Sequence, residues 1–119
     1  MEKRLQALLI AQGALVLLAG FAAGMPYAST VLASLAPDAP ATVGEQLRAW
    51  HMAHLEGVLN GMLMIAGAAA GGALTLSRGQ QRAVFWGLVV AGWTNIVAST
   101  VLNVMDRARN PGSEAAPSA

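Results

Sequence analysis

The sequence predicts an all-α integral membrane protein, an antiparallel bundle of three transmembrane helices in a single domain over residues 1–119. Two observations carry this. The chain is 55% hydrophobic and 11% charged, roughly half the charged share of an ordinary soluble domain and too little to cover so short a chain in water. Its apolar residues fall into three runs, each near the roughly 20 residues a helix needs to cross a bilayer, separated by stretches richer in proline, glycine and charge. A formal net charge of +1 supplies no field to gather nucleic acid. With no cysteine, disulfides, iron–sulfur clusters and thiolate chemistry are excluded.

The first span is read over residues 4–25, where Leu5 to Met25 is apolar apart from Gln6 and Gln12. Lys3 and Arg4 ahead of this run also fit a secretory signal peptide, but the run is longer than a usual signal core. Pro26 is expected to end the helix, with Pro37, Asp38 and Pro40 marking a loop over 26–42. A second helix is expected over 43–77, with Thr42 capping its first amides and Glu45 complementing its positive end. Its first turns, with Arg48, Trp50 and His51, lie at the interface or in protein, because the helix is longer than the hydrocarbon core. Ser77, Arg78, Gly79 and Gln80 read as a polar turn before a third span over 80–105. The tail 106–119, rich in Pro, Gly, Ser and Ala, is expected to be disordered. Lys3, Arg4, Arg78 and Arg82 then share one side and Arg48, Arg107 and Arg109 the other, so the positive-inside rule places the N-terminus of this multi-pass chain in the cytoplasm.

Polar side chains at membrane depth are functional candidates by default. Here they are His51, His54, Glu56, Asn60, Thr94, Asn95, Ser99 and Asn103. On a helical wheel His54 stands about 60° from Gly57, ~20° from Gly61 and in line with Gly72, so an imidazole sits above a groove of bare backbone. Such a groove admits a flat ligand whose metal an imidazole nitrogen reaches, as haem iron is commonly held. The alternative is that Gly57 and Gly61 form a small-xxx-small contact with another helix while His54 hydrogen-bonds at the membrane edge. His51, beside Trp50, reads as interfacial, and Trp86 and Trp93 as packing or belt residues.

On the third helix Asn95, Ser99 and Asn103 recur every four residues and form one polar stripe that must face protein or a cavity. Glu56 and Asn60, also four apart, are placed to hydrogen-bond. Interhelical bonding is the alternative to a catalytic role for each. No serine has a histidine base in any recognisable motif, and the HExxH zinc spacing is absent.

Three stretches resemble the bacterial styrene oxide isomerases, small membrane proteins of styrene degradation. The first is EKRLQALLIAQGALVLLAGFAAG; the second, RAWHMAHLEGVLNGMLMIAGA, is similar to the family's W-x-x-A-H…LNGM segment; the third, AGWTNIVAST, is similar to its D-G-W-x-N segment. The second is the most specific. The resemblance implies a homo-oligomer, a trimer, in the bacterial inner membrane, binding haem b between subunits with His54 as axial iron ligand and Gly57 and Gly61 beside it. It also implies a small hydrophobic substrate: ferric iron acts as a Lewis acid on an aryl epoxide, and ring opening with a 1,2-shift gives an aldehyde. Asn60 matches the asparagine of LNGM and would position the epoxide oxygen or the haem surroundings, and Asn95 matches the asparagine of the G-W-x-N segment. The sequence departs from the family at two points. Ser99 stands where the family has a functional tyrosine, and family members continue into a fourth membrane helix. The alternative function is a haem-binding membrane protein for electron transfer, sensing or haem handling.

Overall fold

The computed structural model describes residues 1–109, which form three helices and no strand: α1 (Lys3–Ser34), α2 (Val43–Ala73) and α3 (Arg78–Arg109). All three are long and apolar enough to cross a membrane. Their outward side chains are largely apolar, with Leu18, Met25, Leu32, Leu59 and Leu102 all exposed, as contact with lipid requires.

The element boundaries differ from expectation in four places. Pro26 does not end the first helix, which continues to Ser34, so the loop is 35–42 rather than 26–42. Proline lacks the amide that would donate to the Ala22 carbonyl one turn back, a loss that a membrane-spanning helix tolerates; beyond it Ser29 Oγ and Thr30 Oγ1 both donate to the Pro26 carbonyl, at 2.9 and 2.7 Å. The second helix stops at Ala73 rather than 77, because Leu74 is extended. The third begins at Arg78 rather than 80, since Ser77 and Gln80 close a capping box: the Gln80 amide donates to Ser77 Oγ at 3.4 Å and the Ser77 amide to Gln80 Oε1 at 3.0 Å. Asp106 to Arg109, expected in the disordered tail, continue α3; residues 110–119 of that tail lie outside the described residues. Thr42 precedes α2 but makes no capping bond, and its buried Oγ1 has no partner among the described residues.

The closest packing joins α1 to α2 along stripes of small residues. On α1 the buried positions are Leu9, Gly13, Val16, Gly20, Ala23 and Thr30; on α2 they include Ala53, Gly57, Gly61, Met64 and Ala68. Steps of three or four residues, or of seven, keep each stripe on one face. The glycines let the backbones touch: a Cβ on Gly20 would lie 2.5 Å from the Val58 nitrogen, and one on Gly61 2.6 Å from the Leu17 nitrogen. The third helix lies against this pair through Phe85, Gly92 and Ile96. Trp93 Nε1 donates to Gln12 Oε1 at 2.8 Å and Gln6 Nε2 to the Ala68 carbonyl at 3.1 Å, so both glutamines of the first span are satisfied across helices.

Candidate functional site

His54 is half-buried on the face of α2 that meets α1. Its Nδ1 lies 2.8 Å from the Gly20 carbonyl oxygen. A carbonyl only accepts, so Nδ1 carries the proton and, in the neutral ring, Nε2 keeps the lone pair. This arrangement, one ring nitrogen donating to backbone while the other stays free, is the usual preparation of a metal-ligating histidine. Gly24 makes room for the ring, for a Cβ there would stand 2.9 Å from His54 Nδ1. Tyr27, one turn on, stacks against both imidazoles: 6.0 Å between centroids and 14° between planes with His54, 5.1 Å and 21° with His51. His51 itself is exposed.

The groove expected beside His54 is filled. Gly57 packs on the backbone of Gly20 and Gly61 on Gly13 and Leu17. Both glycines therefore serve the helix–helix contact weighed as the alternative reading, and neither leaves an open bed for a flat ligand within the chain. Gly72, third in that stripe, abuts Gln6.

The other candidates lie apart from His54, in a polar seam between α2 and α3. Ser99 Oγ donates to Glu56 Oε2, and Asn103 Nδ2 donates to the Ala49 carbonyl at 3.1 Å. Two members of the predicted stripe thus reach across to α2, while Asn95 is exposed on α3. Asn60 is half-buried beside Gly92. The expected pairing of Glu56 with Asn60 is replaced by that of Glu56 with Ser99. Glu56 and Asn60 are ~40° apart on the wheel but His54 and Asn60 ~120°, so the imidazole and the seam open on different faces of α2.

At the end of the seam Trp50 is buried, with the Arg107 guanidinium 5.6 Å above its ring. Together with Thr42, Glu45, Gln46, Ala49, Asn103 and Asp106 these residues line a pocket of about 170 Å³. Trp86 is 60% exposed, as a belt residue would be. Among the described residues no group of three or more His, Cys, Asp and Glu comes together. A metal here would need ligands beyond the side chains, as porphyrin nitrogens supply.

Sequence reasoning missed Gly20, Gly24 and Tyr27. The G-x-x-x-G spacing of Gly20 and Gly24 was the available signal, but it lay in a span that composition alone had made look generic. For Tyr27 there was none, because a helix thought to stop at Pro26 leaves it in a loop.

No curated protein and no solved structure matches the chain. The sequence does match the family described as styrene oxide isomerase over residues 5–117. That span takes in the histidine, the seam and all but the first residues of α1, and the chain belongs to the styrene oxide isomerase family.

Proposed function

We propose that the chain is a haem b-dependent membrane isomerase that converts a hydrophobic aryl epoxide to an aldehyde, working as an antiparallel three-helix protomer of a homotrimer in the bacterial inner membrane with its N-terminus in the cytoplasm. The observation that carries this reading is the hydrogen bond from His54 Nδ1 to Gly20, which frees Nε2 to hold iron. Family membership supports the reaction class. When bound, haem supplies a Lewis acid for the epoxide oxygen.

The residues fit that group by their chemistry. His54 would be the axial ligand, and the Gly20 carbonyl keeps Nδ1 protonated and the ring oriented, which raises the basicity of Nε2. Asn60 and Asn95 have amides that make no side-chain hydrogen bond among the described residues; both lie apart from His54 within the chain, so either would meet a substrate oxygen only at iron held by a neighbouring subunit. Because Gly57 and Gly61 are packed under α1, the porphyrin would lie against the outer surface of the chain, where a second subunit covers it.

The test is an absorbance spectrum of the detergent-purified protein, followed by incubation of the haem-loaded form with styrene oxide. A Soret band lost in His54→Ala and formation of aldehyde are expected; a colourless protein, or one inert to the epoxide, overturns the proposal.

One observation favours a second reading, a haem protein of electron transfer, sensing or haem handling. Ser99, at the position of the family's tyrosine, turns its hydroxyl to Glu56 and so is spent on a structural bond. A reversible redox titration together with epoxide inertness would select this reading.

A further inference from the structure

We propose that Tyr27 is a positioning residue that sets the plane of the His54 ring, an inference that rests on His54 being the iron ligand. The bond to Gly20 pins one ring atom but leaves the imidazole free to swing about that contact. Two groups of α1 remove this freedom. Gly24 lies under the ring, so close that a Cβ would be 2.9 Å from Nδ1 and 3.1 Å from Cε1. Tyr27 stands against it, its plane within 14° of the His54 plane. Gly20, Gly24 and Tyr27 follow at steps of four and three residues and so share one face of α1.

The stack is anchored at both ends. His51 adds a second imidazole to the phenol face at 5.1 Å, so that Tyr27 is matched to two rings one turn apart on α2. Pro26, immediately before Tyr27, fixes its own φ, and its carbonyl takes the hydroxyls of Ser29 and Thr30. The turn that presents the phenol ring is therefore stiff. An offset aromatic stack resists tilt of its members, and the plane of an axial imidazole sets how it overlaps the iron orbitals. The stack needs only the ring, so the phenol hydroxyl is dispensable.

The experiment uses the full chain, haem-loaded in detergent, and reads two quantities: the ferric electron paramagnetic resonance spectrum, whose g-values report the imidazole plane, and the rate of haem transfer to apomyoglobin. Tyr27→Phe should match the wild type. Tyr27→Leu should shift the g-values and lose haem about tenfold faster, as loss of an orienting partner does at metal-bound histidines. Gly24→Ala, whose added methyl would crowd Nδ1 and Cε1 of the ring, should shift the g-values with Tyr27 intact, and Tyr27→Met covers the case in which Tyr27→Leu fails to fold. Wild-type spectra and transfer rates in Tyr27→Leu, or in Tyr27→Met where the leucine variant does not fold, overturn the proposal while leaving His54 as ligand. A wild-type protein that takes up no haem, or a His54→Ala variant with unchanged g-values, overturns the ligand reading itself.

Discussion

His54 Nδ1 on α2 lies 2.8 Å from the carbonyl oxygen of Gly20 on α1, and this bond decides which imidazole nitrogen is available for chemistry. It exists because Gly20 and Gly57 bring the two backbones into contact. A side chain at either position would hold the helices apart and take the carbonyl out of reach. The packing of small residues and the preparation of the histidine are thus one feature of the fold.

Removing the imidazole tests the chemistry without disturbing that packing. His54→Ala is expected to abolish the Soret band of the purified protein, and free imidazole added to the variant should restore it by occupying the vacated space. Helix content by circular dichroism should be unchanged, because His54 is only half-buried and the glycine contact survives.

Replacing the glycine tests the packing. In Gly20→Ala the new methyl meets Val58 nitrogen at 2.5 Å, backbone that cannot move aside, and overpacking of this kind costs about 1–3 kcal/mol. Gly87 on α3 has nothing within 4 Å of an added Cβ, so Gly87→Ala should stabilise by up to ~1 kcal/mol through helix propensity. Thermal unfolding in one detergent should move in opposite directions for the two variants.

How much of this was legible in the sequence depends on which force set each feature. The three spans were, because lipid demands long apolar runs whatever the neighbours do. The end of α1 was not: Pro26 breaks helices in water, but a membrane-spanning helix tolerates proline, and here it runs on to Ser34. Gly57 and Gly61 could be read as glycine on one stripe, but not as groove or contact, since that depends on whether α1 carries matching small residues in register. Asn95, Ser99 and Asn103 share a stripe as spacing requires, but only Ser99 and Asn103 find partners on α2. The direction of a polar face in a membrane is fixed by neighbours that hydropathy does not name.

The start of α3 is legible in the sequence. Ser77-Arg78-Gly79-Gln80 has the S-x-x-Q pattern of a capping box, and both reciprocal bonds form. Ser77→Ala is expected to cost about 1 kcal/mol and to raise amide exchange in the first turn of α3. Thr42→Ala, at a position whose hydroxyl caps nothing, should leave the start of α2 unchanged by the same measurement.

The Ser99–Glu56 bond joins α3 to α2 through the side chain that stands where the resemblance places a tyrosine. A double-mutant cycle measures it. Ser99→Ala leaves the Glu56 carboxyl short of a partner in a half-buried seam, which costs about 1–3 kcal/mol. Glu56→Ala removes the same bond from the other side. The double variant should therefore be less destabilised than the two singles summed, by a coupling of about 1 kcal/mol, the scale of interhelical hydrogen bonds in membranes. Additivity within ~0.3 kcal/mol would mean that the bond contributes nothing and that Ser99 is held in place by backbone alone. The same variants separate structure from chemistry: if Ser99 serves only the seam, Ser99→Ala lowers the unfolding temperature and leaves aldehyde formation per bound haem at the wild-type rate.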